Sequence, residues 1–168
     1  SILTARKRAK EAGLKNVTFA AAKSTDYPGK EYDFVAHFDC LHDMGDPVGA
    51  ARHVRECLKP DGTLMLVEPA AGNSLSENMN IVGRVYYAFS TSVCVPASLN
   101  QEVGAALGAQ AGEKRLTEVL KDVTFRVAPF GIETARDMIA ELRGAKLLDG
   151  YRGSPPADQE ALAAMLVA

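Results

Sequence analysis

Three histidines, three cysteines and 21 acids hold most of the chemistry open to this chain of 168 residues, and one stretch concentrates it. Asp39, Cys40, Leu41, His42 and Asp43 follow an apolar run, YDFVAHF, and Asp46 comes shortly after. Histidine titrates near neutrality, so His42 can take a proton from a reacting group and return it. The plainer role for a loop histidine is packing or capping. Asp39 and Asp43 are placed to orient that ring or to meet an amino group of a ligand, whereas Asp46, directly before Pro47, suits a helix cap. A metal held by Asp39, His42, Asp43 and Glu68 is conceivable, but capping and solvation account for these acids, and no metal is expected. His37, inside the apolar run, and His53, in a helical pattern, read as structural. The cysteines, Cys40, Cys57 and Cys94, are odd in number and lack C-x-x-C spacing, which argues against a disulfide framework or a structural zinc site. Cys40 and Cys94 have no base beside them in sequence and read as small buried hydrophobes. Tyr86, Tyr87 and Phe89 could wall an aromatic pocket, although aromatics at helical spacing more often join a core.

The elements that must position these residues read as follows. Residues 32–38 form a buried parallel strand delivering the His42 loop. Asp46 and Pro47 open a helix whose Val48, Ala51, Val54 and Leu58 share one face until Pro60, Asp61 and Gly62 end it. Residues 63–67 (TLMLV) form a second buried strand. Helices alternating with apolar strands imply crossover units and a parallel sheet, whose ligands sit at the carboxyl ends of the strands. That places residues 39–46 and Glu68 on the rim of the candidate site. Ahead of them, Ile2, Leu3, Ala5, Ala9 and Ala12 make a helical stripe capped by Gly13, with the bases Arg6, Lys7, Arg8, Lys10 and Lys15 in solvent. Residues 16–21 read as a short strand, and Tyr27, Pro28 and Gly29 as a loop. Further on, Ile81, Val82, Val85, Tyr86 and Phe89 mark a helix, and residues 90–100 a loop. Residues 113–120 have helical propensity, while 119–127 alternate as a strand would, and both readings stay open. Ile132, Ala135, Met138, Ile139 and Leu142 mark a helix ended by Gly144, and 157–167 an alanine-rich helix behind Ser154, Pro155 and Pro156.

Composition narrows the class of protein. With 47% hydrophobic and 24% charged residues the chain is globular and soluble, and it is long enough for one domain or one domain and a short appendage. No apolar run spans a bilayer, so no membrane is expected. Nineteen bases against 21 acids give a net charge of −2, which provides no field to gather nucleic acid. The cysteine usage fits a reducing cytoplasm. The chain starts at Ser1, in mid-helix and without a methionine, so an upstream segment is expected.

YDFVAHFDCLHDMGDP, then a helix, KPDG and LMLVEP, resembles a class I S-adenosylmethionine-dependent methyltransferase of the small-molecule type. The resemblance covers residues 1 to about 118 and includes VGRVYYAFSTSVCVPASLNQEVGAALGAQAGE. It implies a partial Rossmann-like α/β sheet, with YDFVAHF as the family's fourth strand and LMLVEP as its fifth. It further implies that the LHDMGD loop lies over the methyl donor and acceptor, and that Asp39, Cys40, Leu41 and Asp43 contact S-adenosylmethionine. His42 falls where oxygen-directed relatives, with an HDWSD loop, keep a base, and Tyr86 and Tyr87 would face a small-molecule acceptor. The sequence departs from that family at the cofactor. No G-x-G-x-G occurs in the 168 residues, and the place of an adenine-contacting acid holds Lys23 or Ser24. Feeble donor binding and little turnover are the expectation for this chain.

EVLKDVTFRVAPFGIETARDMIAELRGAKLLDGYRGSPPADQEALAAMLV resembles the late part of the ATP-grasp domain of NDP-forming acyl-CoA synthetases. That resemblance implies a small α/β tail, residues 119–168, joined to a partial methyltransferase domain, residues 1–118. Glu118 aligns with an acid that approaches magnesium, and Arg126 and Arg152 could meet phosphate, though surface ion pairing is their default role. The family's phosphate-binding lysines would lie upstream of this piece. Three functions therefore compete: methyl transfer to a small acceptor, at oxygen; nucleotide-dependent acyl-CoA formation; and a non-enzymatic composite of two partial domains.

Overall fold

The computed structural model describes residues 2–121 and 123. Helix α1, Ile2–Glu11, ends at Gly13, whose φ of +68° only glycine adopts at little cost. There the Leu14 and Gly13 N–H groups reach back to the carbonyls of Ala9 and Lys10. Strand β1, Tyr32–Phe38, occupies the expected residues and pairs in parallel with β2, Leu58–Val67. Between them runs helix α2, Pro47–Cys57. Its N-terminus is capped by the Asp46 carboxylate, which accepts from the Gly49 N–H at 2.7 Å, with Pro47 in the first turn. Then come α3, Ile81–Phe89, a π-helical turn, Ser90–Cys94, α4, Val95–Leu99, and α5, Gly112–Lys121.

The core forms where α2 meets the sheet and α5. Ala50, Ala51 and Val54 of α2 are fully buried, and Leu41 nearly so. Ala50 packs with Leu41 and Val119, and Ala51 with Leu120 and Val123, while Leu66 of β2 lies against both groups. Small side chains on α2 let α5 approach closely.

Four readings of the sequence need correction. Residues 16–21 are not a strand: their backbone joins no ladder, and among the described residues the nearby pairing is an isolated bridge, Lys23 with Asp26. Apolar alternation makes a strand only where a neighbour accepts its hydrogen bonds. Helix α2 ends at Cys57, before Pro60, because Leu58 is already extended, with ψ of 148°, and pairs with Tyr32. KPDG is then a bulge inside β2: the register jumps from Tyr32 opposite Leu58 to Phe34 opposite Thr63. Gly62 fits there since a Cβ would stand 2.8 Å from the Tyr32 carbonyl oxygen. The strands are less buried than expected, with Phe34 40% and Phe38 52% exposed. Among the described residues the sheet has two strands, so much of β1 has no layer over it. Residues 90–99 are helical and not a loop, with Asn100 capping their end. The chain leaves α3 through the π turn without breaking, and Pro96 sits in the first turn of α4, where a missing N–H costs little.

The helix expected over residues 113–120 forms, within α5; of the alternative strand over 119–127, residues 119–121 are helical, and 122 and 124–127 lie outside the described residues. The helices expected at 132–142 and 157–167, and Arg126 and Arg152, lie outside the described residues. Among the described residues no helix is long and apolar enough to cross a membrane.

Candidate active site

Parallel pairing brings the carboxyl ends of β1 and β2 together, and the chemistry lies there. The Asp39 N–H continues the ladder to the Val67 carbonyl at 2.8 Å, and Asp39 then turns the chain with φ of +49°, a conformation that aspartate tolerates better than most residues. A single 3-10 turn, Leu41–Asp43, follows. It drives the Leu41 side chain into the core and buries the His42 ring, which is 3% exposed.

Glu68, the residue after β2, organises this turn. One carboxylate oxygen, Oε1, accepts from the backbone N–H groups of Cys40 at 3.2 Å and Leu41 at 2.8 Å. The other, Oε2, takes a short hydrogen bond from His42 Nδ1. Both side chains are 4% exposed. A carboxylate can only accept, so Nδ1 carries the proton and the lone pair of a neutral ring is directed through Nε2. Nε2 faces Asp43, whose Oδ1 is 3.3 Å away, and Asp39 Oδ1 stands 3.9 Å from Nδ1. Burial alone would lower the His42 pKa; the Glu68 hydrogen bond, and the charges of Glu68, Asp43 and Asp39, outweigh it and hold the pKa above the ordinary value.

Residues far along the chain brace the same turn. Gln101 accepts from the Gly45 N–H and donates to the Asp43 carbonyl, each at 2.8 Å. The fully buried Ser98 hydroxyl donates to the Met44 carbonyl at 2.8 Å and accepts from the Ala106 N–H at 3.0 Å. Backbone bonds from Ala105 to Gly45 and from Gly108 to His42 complete the clamp. The π turn delivers Cys94, whose thiol burial, and then the adjacent Asp43 carboxylate, push up to about 11.

The structure thus gathers His42, Asp39, Asp43 and Glu68, all expected at the rim. Cys40 is half-buried, and its thiol pKa is raised, chiefly by burial. Tyr86 and Tyr87 are half-buried on α3. A shallow hollow opens on β1 instead, lined by Tyr27, Tyr32, Phe34, Val35, Ala36 and His37. Sequence reasoning missed Cys94, Ser98 and Gln101 as neighbours of the turn. Nothing in their spacing could have revealed them, although Glu68 was legible as the end of a strand adjacent to β1.

Asp39, with an exposed carboxylate, and Asp43, 43% exposed, offer two negative groups at the sheet end. The Leu41 N–H, spent on Glu68, and the Leu41 side chain, spent on the core, have little left to offer a ligand.

Comparison with known proteins places two families on this chain. A family described as a methyltransferase domain matches residues 1–124, and one described as an ATP-grasp domain matches residues 92–168. The beta subunit of acetate–CoA ligase [ADP-forming] II from Pyrococcus furiosus is 50% identical over 50 residues, 30% of this chain and 21% of that protein. Acetate–CoA ligase [ADP-forming] I from Archaeoglobus fulgidus is 46% identical over 50 residues, 30% of this chain and 7% of that protein. The 4-hydroxybutyrate–CoA ligase [ADP-forming] of Nitrosopumilus maritimus is 56% identical over 41 residues, 24% of this chain and 6% of that protein. The chain therefore spans less than a quarter of the length of these relatives.

Proposed function

We propose a function from the premise that the chain belongs to the methyltransferase-domain family, which matches residues 1–124: methyl transfer from S-adenosylmethionine to a small-molecule acceptor at oxygen, with His42 as the base. The observation that carries this reading is the His42–Glu68 pair at the end of the parallel strands. Glu68 holds the ring in one tautomer and leaves Nε2 to accept the acceptor's hydroxyl proton. Asp39 and Asp43 would hold the ammonium group of the donor. When bound, S-adenosylmethionine supplies an electrophilic methyl group, so the protein's own task is alignment and exclusion of water. Burial of His42 and the clamp from Ser98 and Gln101 serve both ends.

Within these 168 residues no G-x-G-x-G supplies the backbone cradle that such donors ordinarily use. Loss of two good hydrogen bonds weakens binding about a hundredfold or more. Calorimetry with S-adenosylmethionine on the 168-residue chain should accordingly show affinity weaker than micromolar, and micromolar binding would contradict this. With a glycine-rich strand and turn supplied ahead of Ser1, affinity should recover, and His42→Ala should then lower turnover more than binding. An unchanged turnover number would remove His42 from the chemistry.

A second reading, nucleotide-dependent acyl-CoA formation, is favoured by the 50% identity to an ADP-forming acetate–CoA ligase subunit. Calorimetry with ATP and magnesium separates the two, since heat with nucleotide and none with S-adenosylmethionine would favour the ligase lineage. Silence with both ligands favours a non-enzymatic remnant.

A further inference from the structure

The side of the His42 ring turned away from Glu68 meets a group of atoms that proton transfer does not require. Nε2 stands 3.3 Å from Asp43 Oδ1. Cys94 Sγ closes a triangle with one ring nitrogen of His42 and one carboxylate oxygen of Asp43, the three ligand atoms all lying within 4.8 Å of one another. His42 and Cys94 are buried, and Asp43 Oδ1 is itself buried with no hydrogen bond among the described residues. A buried carboxylate oxygen that accepts no hydrogen bond is costly, and a cation beside it removes that cost.

We propose that His42 Nε2, Asp43 Oδ1 and Cys94 Sγ form a binding site for a zinc-class divalent cation, with a fourth coordination position open. Nitrogen, thiolate and carboxylate together are a borderline-soft donor set, which suits zinc, whereas magnesium and calcium take all-oxygen shells of six or more. Bonds of about 2.0 to 2.2 Å in a tetrahedral site imply ligand separations of about 3.3 to 3.5 Å. The 3.3 Å between Nε2 and Oδ1 already matches. Glu68 on Nδ1 is the outer carboxylate that metal-binding histidines commonly have, fixing the ring with Nε2 toward the ion. Cys94 ends the π-helical turn, a distortion often found at functional sites. Three carboxylates, Glu68, Asp43 and Asp39, surround one imidazole, so a divalent ion offsets local negative charge. Binding transfers the Cys94 thiol proton to solvent and forms the metal–sulfur bond, with no change of oxidation state. Coordination also uses the Nε2 lone pair, so a metal-loaded ring cannot serve as base.

The test is a titration of the chelator-treated, dialysed 168-residue chain with cobalt(II) chloride, followed by zinc chloride. One equivalent of cobalt should bind, giving the strong visible bands of four-coordinate cobalt and a thiolate-to-cobalt charge-transfer band, and zinc should abolish both. Cys94→Ser should remove the charge-transfer band, whereas Cys40→Ser and Cys57→Ser should keep it. Glu68→Gln should weaken binding about 10- to 100-fold. Far-UV circular dichroism checks each fold. Should Cys94→Ser fail to fold, Asp43→Asn, at a half-exposed position, must weaken cobalt binding by about tenfold or more. No uptake at millimolar cobalt, a charge-transfer band surviving Cys94→Ser, or an Asp43→Asn protein binding like the parent would overturn the site. These outcomes are independent of methyl transfer: cobalt binding with an inert His42 defeats only the proposed reaction, and active His42 without cobalt binding defeats only the metal site.

Discussion

Glu68 shows how much one side chain can decide. Its carboxylate accepts from two backbone N–H groups and the His42 ring, all in a nearly dry position. Glu68→Ala leaves these donors without their acceptor, and breaking a buried charged pair costs about 3 to 5 kcal/mol. Urea unfolding should register a loss of that size, and a change below about 1 kcal/mol would mean that water replaces the carboxylate freely. His37 supplies a pH test. Burial lowers its pKa from 6.5, only partly opposed by the charge of Glu68, and its Nδ1 has no hydrogen bond among the described residues. In the unfolded chain the ring binds a proton near the ordinary pKa, so the unfolded state holds more protons between that value and the depressed one. Stability is thus full above about pH 7 and is lost as pH falls through about 6.5 toward the folded pKa. His37→Leu should flatten this loss in urea melts taken at about pH 7.5 and about pH 5. Equal slopes in the two proteins would show that His37 does not contribute.

At the scale of elements, the starts of helices were easier to read than their ends. Asp46 and Pro47 mark the beginning of α2 because an N-cap and a first-turn proline act locally. Asp46→Ala should lower stability by about 1 kcal/mol, seen as a lower melting temperature. The end of α2 depended on β2 starting at Leu58 to pair with Tyr32, a partner distant in sequence. Residues 90–100 were misread for a related reason. Ser, Thr, Val and Pro have weak helical preference, and the helix there is held by contacts such as Ser98 to Met44 and the Ala109 N–H to Ser90 Oγ. Gly83 sets preference against packing in α3. Alanine is the better helix former, yet a Cβ would stand 1.9 Å from the Asn78 carbonyl oxygen, and backbone cannot yield as a side chain can. Gly83→Ala should therefore destabilise by about 1 to 3 kcal/mol, and a stabilised variant would show that this approach relaxes freely.

For the whole molecule, the informative region is residues 92–124, which both family matches include. In the structure α5 crosses the boundary between residues 118 and 119, and Val119, Leu120 and Val123 pack against Leu41, Ala50 and Ala51. The Ser98 and Gln101 bonds to the His42 turn belong to the same region. Leu120→Ala should cost about 2 to 5 kcal/mol in the unfolding of the α2 core, monitored by exchange of the Ala50 and Ala51 amides. Unaltered protection of those amides would detach α5 from this core. By itself the sequence determined what is local: the residues of β1, the cap of α2, the helical face of α3 and the two family resemblances. Each rests on side-chain periodicity, a cap or a motif written in neighbouring positions. Tertiary structure alone decided the strand end at Glu68 as the anchor of His42, the meeting of Cys94 with Asp43, and the clamp from Ser98 and Gln101. Those contacts join residues tens of positions apart, and the free energy that selects among such pairings comes from burial and hydrogen-bond satisfaction in the assembled core, which no local pattern encodes.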